Sequence, residues 1–238
     1  MNEIVLETHN LNMHFGGVKA VNNVDFTLRE NELRCLIGPN GAGKSTFFKC
    51  LTGLNKPTSG EIYIRGEETT HWHTHQISRL GIGIKTQVPN VMDGLSVWEN
   101  IWLSARRYHD VKQANRRVEE VIERIKIGDI TKKLLGELAH GQRQRVELAI
   151  VLAADPWLVI LDEPAAGMTG QDVEIMVDII REINRSAAMI IVEHDMQFIQ
   201  SIANQVTVFY QGSILMEDHV DNVLADQKVR DVYLGRNV

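Results

Sequence analysis

Most of this chain consists of short apolar runs that are separated by glycine and polar residues. Residues 33–37, 158–161 and 188–192 are the most continuously apolar of these runs, and glycine or an acidic residue follows each. Such runs are typical of strands buried on both faces of a parallel sheet. Because a segment with helical spacing, 171–185, separates two of them, the pattern predicts an α/β fold with a largely parallel sheet.

The first part of the chain has a different pattern. Apolar runs at 4–6, 15–18 and 24–28 are broken by Asn and Gly, which predicts antiparallel strands joined by turns. Residues 60–64 alternate and predict a further strand, and residues 81–87 predict a strand that leads to a polar residue before a proline.

The middle of the chain is predicted to be helical. Ser96 and Glu99 match a capping box that opens a helix through Leu103. Residues 111–125 place apolar side chains at helical spacing, and a further helix is predicted over 142–153. We therefore divide the single domain 1–238 into a helical part, 88–153, and a core with antiparallel strands, 1–87 and 154–238.

Composition narrows the class of protein. The 238 residues suit one large domain or one domain with two lobes, and the formal net charge of −6 argues against nucleic acid as the main partner. No run approaches the ~18 apolar residues of a membrane span, and a signal peptide is not apparent, so we expect a cytoplasmic protein. Cys35 and Cys50 are expected to be ordinary buried thiols.

A glycine-rich segment follows the strand at 33–37 and precedes a helix. It consists of Gly38, Pro39, Asn40, Gly41, Ala42, Gly43, Lys44, Ser45 and Thr46. Strand, loop and helix are the context of a phosphate loop, in which backbone N–H groups and the helix N-terminus surround phosphates. Lys44 would reach the β- and γ-phosphates of a nucleoside triphosphate, and the Ser45 hydroxyl would bind Mg²⁺.

Polar side chains that suit hydrolysis follow three predicted strands. Asp162 suits Mg²⁺, and Glu163 is placed to polarise the water that attacks the γ-phosphate. His194 can donate to the γ-phosphate or to that water, and Gln87 can bind Mg²⁺ or the water. The alternatives are a solvated turn for the two carboxylates and a surface histidine for His194.

A second anion site is predicted at residues 138–145. The Gly-Gln step there opens a helix and presents free N–H groups, with His140, Gly141 and Gln142 as the candidate contacts. One chain cannot easily fold this segment onto its own phosphate loop if the two lie on separate lobes. A second copy placed head to tail solves that geometry.

Aromatic and histidine residues supply two weaker hypotheses. Phe15, on a predicted strand near the phosphate loop, can stack on a nucleotide base or can be a core residue. His71, His73 and His75 could share one face of a strand and bind metal, but the favoured interpretation is a polar connection before a short helix through Ile77 and Leu80.

Taken in order, these motifs resemble the ATP-binding subunits of ABC transporters over nearly the whole chain. Residues 38–46 match the Walker A loop, Gln87 the Q-loop, 158–162 with Glu163 the Walker B strand, 138–142 the signature and His194 the switch histidine. The resemblance implies a P-loop NTPase of the ABC ATPase fold, with a RecA-like core, an antiparallel β subdomain and a helical subdomain. It also implies that Phe15 stacks on adenine and that two such domains trap ATP between them.

The sequence departs from the family pattern at two places. Ala139 and His140 replace the Ser and first Gly of the signature Leu-Ser-Gly-Gly-Gln, which removes a hydroxyl that would contact the γ-phosphate. Thr169 stands where the D-loop usually has Asp. We expect weakened activity rather than its loss.

Several stretches look like the family members that import branched-chain amino acids, urea and short amides. These are residues 39–41, 51–53, 164–168, 192–196 and 232–235. The combination of His140 in the signature with residues 32–35 most resembles the urea-type branch. The resemblance implies a second ATP-binding subunit, integral membrane permease subunits that contact the surface at 88–102, an indirectly associated solute-binding protein, and a position at the inner face of the membrane. The alternatives are an exporter ATPase of the lipopolysaccharide-transport type, a soluble ABC ATPase outside transport, and an inactive regulatory cassette.

Overall fold

The computed structural model describes residues 3–87, 91–168 and 170–233. The strands in these ranges are β1 (Ile4–Phe15), β2 (Val18–Arg29), β3 (Leu33–Ile37), β4 (Ser59–Ile64), β5 (Glu67–Glu68), β6 (Ile82–Lys85), β7 (Leu158–Asp162), β8 (Ala188–Val192), β9 (Gln205–Tyr210) and β10 (Ser213–His219). The helices are α1 (Lys44–Leu51), α2 (Thr74–Arg79), α3 (Val97–Arg106), α4 (Val111–Ile125), α5 (His140–Leu152), α6 (Gln171–Asn184), α7 (Met196–Ile202), α8 (Val220–Ala225) and α9 (Gln227–Tyr233).

A six-stranded sheet forms the centre of the fold. Its strand order is β10-β9-β3-β8-β7-β6, and all neighbours are parallel except the terminal pair β9–β10. Every residue of β3, β7 and β8 is buried, as their continuous apolar runs predict. The predicted α/β fold with a largely parallel sheet is confirmed.

The antiparallel sheet has the order β2-β1-β4-β5. The prediction of a separate strand at 15–18 is wrong, because Phe15 and Val18 pair across a tight turn that joins two long strands. Gly16 supplies the positive φ of +57° that this turn needs. Asn10 and Asn23, which look like strand breaks in the sequence, also take positive φ and accompany bulges instead of ending the strands.

The three longer helices of the middle region form where the sequence predicts them. The Ser96 hydroxyl accepts a hydrogen bond from the Glu99 N–H, which confirms the predicted cap of α3. Helix α5 begins at His140, two residues before the predicted start at Gln142. The physical reason is that the Gln142 side chain accepts from the Ala139 N–H and closes an earlier first turn.

The central sheet separates two apolar cores. On β3, Cys35 and Ile37 pack in one core with helices α3 to α7, and Leu36 packs in the other with the antiparallel sheet and α1. Cys35 and Cys50 are both buried and free, as expected. The carboxyl ends of the parallel strands therefore lie at one edge, between a helical layer and an antiparallel layer.

Candidate functional site

The loop after β3 takes backbone conformations that favour glycine. Gly38, Gly41 and Gly43 have φ values of +143°, +80° and +106°. An idealised Cβ would lie 2.2 Å from the Phe209 carbonyl oxygen at Gly38, and 2.3 Å from the Ala20 carbonyl oxygen at Gly43. Close packing at Gly38 and Gly43, and the positive φ at Gly41, therefore disfavour side chains at these three positions of the phosphate loop.

The other residues of the loop complete this cradle. The Ala42 N–H donates to the Pro39 carbonyl at 3.1 Å, and the Gly212 N–H donates to the Ala42 carbonyl at 2.9 Å. Asn40 and Ser45 are exposed, and Thr46 is half-buried in the first turn of α1. The hydroxyl that the sequence assigns to Mg²⁺ therefore lies on an open helix start.

Lys44 is bound by the loop that precedes it. Its Nζ donates to the carbonyl oxygens of Gly38 and Pro39 at 2.6 and 3.0 Å. Burial lowers the pKa of Lys44, and the carboxylates of Glu163 and Asp162 oppose this shift. The ammonium group therefore lies against the phosphate loop and interacts electrostatically with the two acids at the end of β7.

Asp162 is the last residue of β7 and is only 5% exposed. Burial, with a further contribution from Glu163, raises the pKa of Asp162 to about 6. An ionised carboxylate in such a place is costly without a cation, so its chemistry fits a divalent metal ion.

Glu163, Gln87 and His194 come together at the ends of three neighbouring strands, β7, β6 and β8. Gln87 Nε2 donates to one Glu163 carboxylate oxygen at 3.2 Å, and His194 Nδ1 lies 3.6 Å from the other. Glu163 has a positive φ of +49°, and its N–H donates to the Val192 carbonyl at 2.9 Å. We call these three residues the strand-end cluster, and the structure assembles it as adjacent strand ends predict.

The signature segment (residues 138–142) lies at the start of α5. Ala139 and His140 are both exposed. His140 Nε2 lies 2.7 Å from the Ala166 carbonyl oxygen, and an idealised Cβ at Gly141 would lie 2.4 Å from an Asp172 carboxylate oxygen. The segment thus contacts the loop that follows Glu163 in the same chain.

The remaining candidates have clear positions. Phe15 is 50% exposed at the tip of the first hairpin, so the alternative of a core phenylalanine is wrong. His73 and His75 stack their rings around the start of α2. Among the described residues no group of three or more His, Cys, Asp or Glu side chains is arranged for a metal ion. The short helix predicted in this region forms as α2, with His73 at its N-cap. Thr169, the D-loop departure, lies outside the described residues.

Sequence reasoning missed two buried carboxylates near the site. Glu193 accepts from the N–H groups of Ala165 and His194. Glu147, on α5, lies 3.4 Å from Lys85 Nζ, on β6. A charged residue directly after the apolar run 188–192 was a signal for Glu193, but Lys85, the partner of Glu147 on β6, is distant in sequence.

Comparison with known proteins gives one family. Residues 21–166 match the model of the ABC transporter family. The chain is 30% identical to the high-affinity branched-chain amino acid transport ATP-binding protein BraF of Pseudomonas aeruginosa, over 99% of each chain. It is 33% identical to the lipopolysaccharide export system ATP-binding protein LptB of Haemophilus influenzae, over 97% of each.

A solved structure shows the same fold. The ADP conformation of MJ1267, an ATP-binding cassette of an ABC transporter, matches with a TM-score of 0.89 and 25% identity, covering 98% of this chain and 100% of that one. None of the helices in the described ranges combines the length and apolar character needed to cross a bilayer. The chain belongs to the ABC transporter family as an ATP-binding subunit that hydrolyses ATP.

Proposed function

We propose that this subunit drives import of urea, short amides or branched-chain amino acids through separate membrane subunits. The relative BraF is a branched-chain amino acid transport ATP-binding protein, and residues 39–41, 51–53, 164–168 and 192–196 resemble the import branch of the family. The main support for an active ATPase is that the strand-end cluster lies beside an intact phosphate loop. The division into a core (1–87, 154–238) and a helical part (88–153) is proposed on the same basis.

In this proposal the chain binds ATP through groups already in place. The backbone N–H groups of the phosphate loop that make no bond within it, together with the Lys44 ammonium, contact the phosphates, and the exposed ring of Phe15 stacks on adenine. Pro39 has no N–H, and the Ala42 N–H already donates to the Pro39 carbonyl. Ser45, Asp162 and Gln87 hold Mg²⁺, because a hydroxyl, a buried carboxylate and an amide offer the oxygen ligands that this ion prefers. The ion, when bound, neutralises charge on the phosphates.

Hydrolysis is assigned to the strand-end cluster. Glu163 accepts a proton from the attacking water, and His194 and Gln87 hold its two carboxylate oxygens in one orientation. His194 can also donate to the γ-phosphate. The three residues come from strand ends, which are rigid elements that keep such groups in register.

The signature segment is proposed to serve ATP bound by a second cassette, either another copy or a related chain. Gly141 and Gln142 offer N–H groups at the start of α5, where the helix dipole favours an anion. The imidazole of His140 is engaged with the Ala166 carbonyl. His140 would therefore contact ATP through its backbone and not through its side chain. Ala139 offers no hydroxyl, which weakens this site.

A groove between β6 and the helical region is proposed to receive the membrane subunits. Its volume is about 500 Å³. Apolar side chains of Val91, Tyr108, Ile150 and Val151 line it, and Met92 is exposed nearby. Val88–Asn90, which belong to the surface predicted from sequence, lie outside the described residues. Docking here would hold the subunit at the inner face of the membrane.

An exporter of the lipopolysaccharide-transport type is the second candidate, because LptB is similar over 97% of this chain. Purification of the tagged chain from its native cells in mild detergent separates the two candidates. Membrane proteins with a solute-binding protein support import, and membrane proteins without one support export. A purely soluble complex contradicts both.

Glu163→Gln tests the ATPase assignment. Because the amide cannot accept the proton, we expect ATP binding to persist, turnover to fall at least about 100-fold, and an ATP-bound dimer to accumulate in light-scattering measurements. Lys44→Ala is the matched control and should lose ATP binding. Normal turnover by Glu163→Gln would refute the assignment of the base.

A further inference from the structure

The loop 164–168, which follows Glu163, is held from two sides by side chains outside it. We propose that His140 and Glu193 are positioning residues that couple the start of α5 to the strand-end cluster of the same chain. This inference rests on the proposed function, in which the signature segment serves the ATP of a second cassette.

The first contact joins α5 to the loop. A carbonyl oxygen only accepts hydrogen bonds, so the 2.7 Å distance between His140 Nε2 and the Ala166 oxygen requires the proton on Nε2. Gly167 has a φ of +71°, and an idealised Cβ there would lie 3.0 Å from the same nitrogen. Residue 167 thus packs directly against the imidazole, and a side chain there would force the ring to shift by a few tenths of an ångström.

The start of α6, which follows the loop 164–168, is also packed against α5. Asp172, in the first turn of α6, lies so close to Gly141 that a Cβ on the glycine would overlap its carboxylate. The start of α5 therefore meets the chain after Glu163 at two points, Ala166 and Asp172. A shift of this helix start moves both points or breaks their packing.

The second contact joins the loop to the strand-end cluster. Glu193 Oε1 accepts from the Ala165 N–H at 3.1 Å, and Oε2 accepts from the His194 N–H at 3.0 Å. Glu193 is 1% exposed, so solvent does not compete for these hydrogen bonds. One carboxylate thereby fixes the loop and the histidine backbone relative to each other.

Together these contacts form a continuous path. It runs from α5 through His140 to Ala166, to the adjacent Ala165, and through Glu193 to His194. In the proposed dimer the start of α5 touches one ATP, and the strand-end cluster hydrolyses the other. The path therefore links the state of one ATP site to the geometry of the second.

A double-mutant cycle on the purified full chain tests this link. The variants are His140→Ala, Glu193→Gln and the double variant, with His71→Ala as a matched exposed-histidine control. The Glu193→Gln amide keeps the shape but can no longer accept from both N–H groups. Thermal unfolding checks that each variant is folded, and ATPase rates are measured over a range of ATP concentrations.

If the two residues act on one path, each single variant lowers kcat about tenfold and the double variant loses little more, since coupled residues are not additive. The Hill coefficient for ATP falls toward 1 in both single variants. His140→Gln retains most activity, because its amide can still donate to the Ala166 carbonyl. The control stays at the wild-type rate.

Multiplied losses in the double variant, or an unchanged Hill coefficient in folded His140→Ala, would overturn the coupling. Either result would contradict the coupling alone. The proposed function would still stand, provided that the wild-type chain hydrolyses ATP and the Glu163→Gln variant dimerises. Failure of the proposed function is distinct, since the wild-type chain itself would then show no turnover, and the coupling would fall with it.

Discussion

At the residue scale, the fold buries the carboxyl group of Asp162 in a place where its ionised form lowers the stability of the protein. Its pKa of about 6 lies above its usual value of 3.8, chiefly because the side chain is buried. The folded protein therefore holds this proton more tightly than the unfolded chain does. Ionisation of Asp162 costs stability above pH 6, and this cost disappears as the pH falls toward 4.

Asp162→Asn should therefore stabilise the protein in the absence of nucleotide and metal. We expect a gain of about 2 kcal/mol at pH 8, or a rise in Tm of about 5 °C, and a smaller gain at pH 5. Thermal unfolding in EDTA at both pH values measures it. The exposed Asp178→Asn is the control, and an equal gain there, or a gain for Asp162→Asn that does not change with pH, would contradict the burial argument.

Helix α3 illustrates the element scale, because its start is fixed by side chains next to it. Ser96 and Glu99 exchange hydrogen bonds, and these lower the pKa of Glu99, first through the Ser96 hydroxyl and then through the Ser96 N–H. Ser96→Ala should cost about 1 kcal/mol in urea unfolding. The pKa of Glu99, followed by NMR, should rise toward its usual value. Ser96→Thr keeps the cap and should change neither quantity appreciably.

An element is predictable from sequence when the signal for it lies within its own residues. Strands β3, β7 and β8 and helix α4 were found because their signals, a continuous apolar run or apolar residues at helical spacing, lie within the element. The hairpin at Gly16 and the early start of α5 depend on local conformations and contacts that periodicity does not contain. For the site, strand-end residues were predictable, whereas the roles of Glu193 and Glu147 arise only when distant segments meet.

At the scale of the whole molecule, a buried ion pair joins the central sheet to the helical layer. Lys85 on β6 and Glu147 on α5 have side chains 5% and 4% exposed, and Arg143 joins Glu147 to Asp93. Removing one member of a buried pair leaves the other charge uncompensated. The pair therefore fixes how α5, which carries the signature segment, is oriented on the sheet.

Glu147→Gln should destabilise the fold by about 3 kcal/mol in urea unfolding, because buried Lys85 loses the carboxylate that pairs with it. The double variant Lys85→Met/Glu147→Leu should recover most of this loss. Glu120→Gln, which removes the ion pairs of an exposed carboxylate with Arg116 and Arg117, should cost at most about 0.5 kcal/mol. A loss for Glu147→Gln no larger than for Glu120→Gln would mean that the pair does not hold the layers together.

The position of β3 has a consequence for the order in which the chain acquires its function during synthesis. This early strand pairs with β8 and β9, which are made near the end of the chain, and the phosphate loop packs against Phe209 and Gly212. A ribosome-bound chain that stops short of β8 has the whole nucleotide-binding motif but neither sheet neighbour of its strand. Contacts of such long range form late and slowly, so we expect the subunit to bind ATP only after β8 and β9 have emerged from the ribosome.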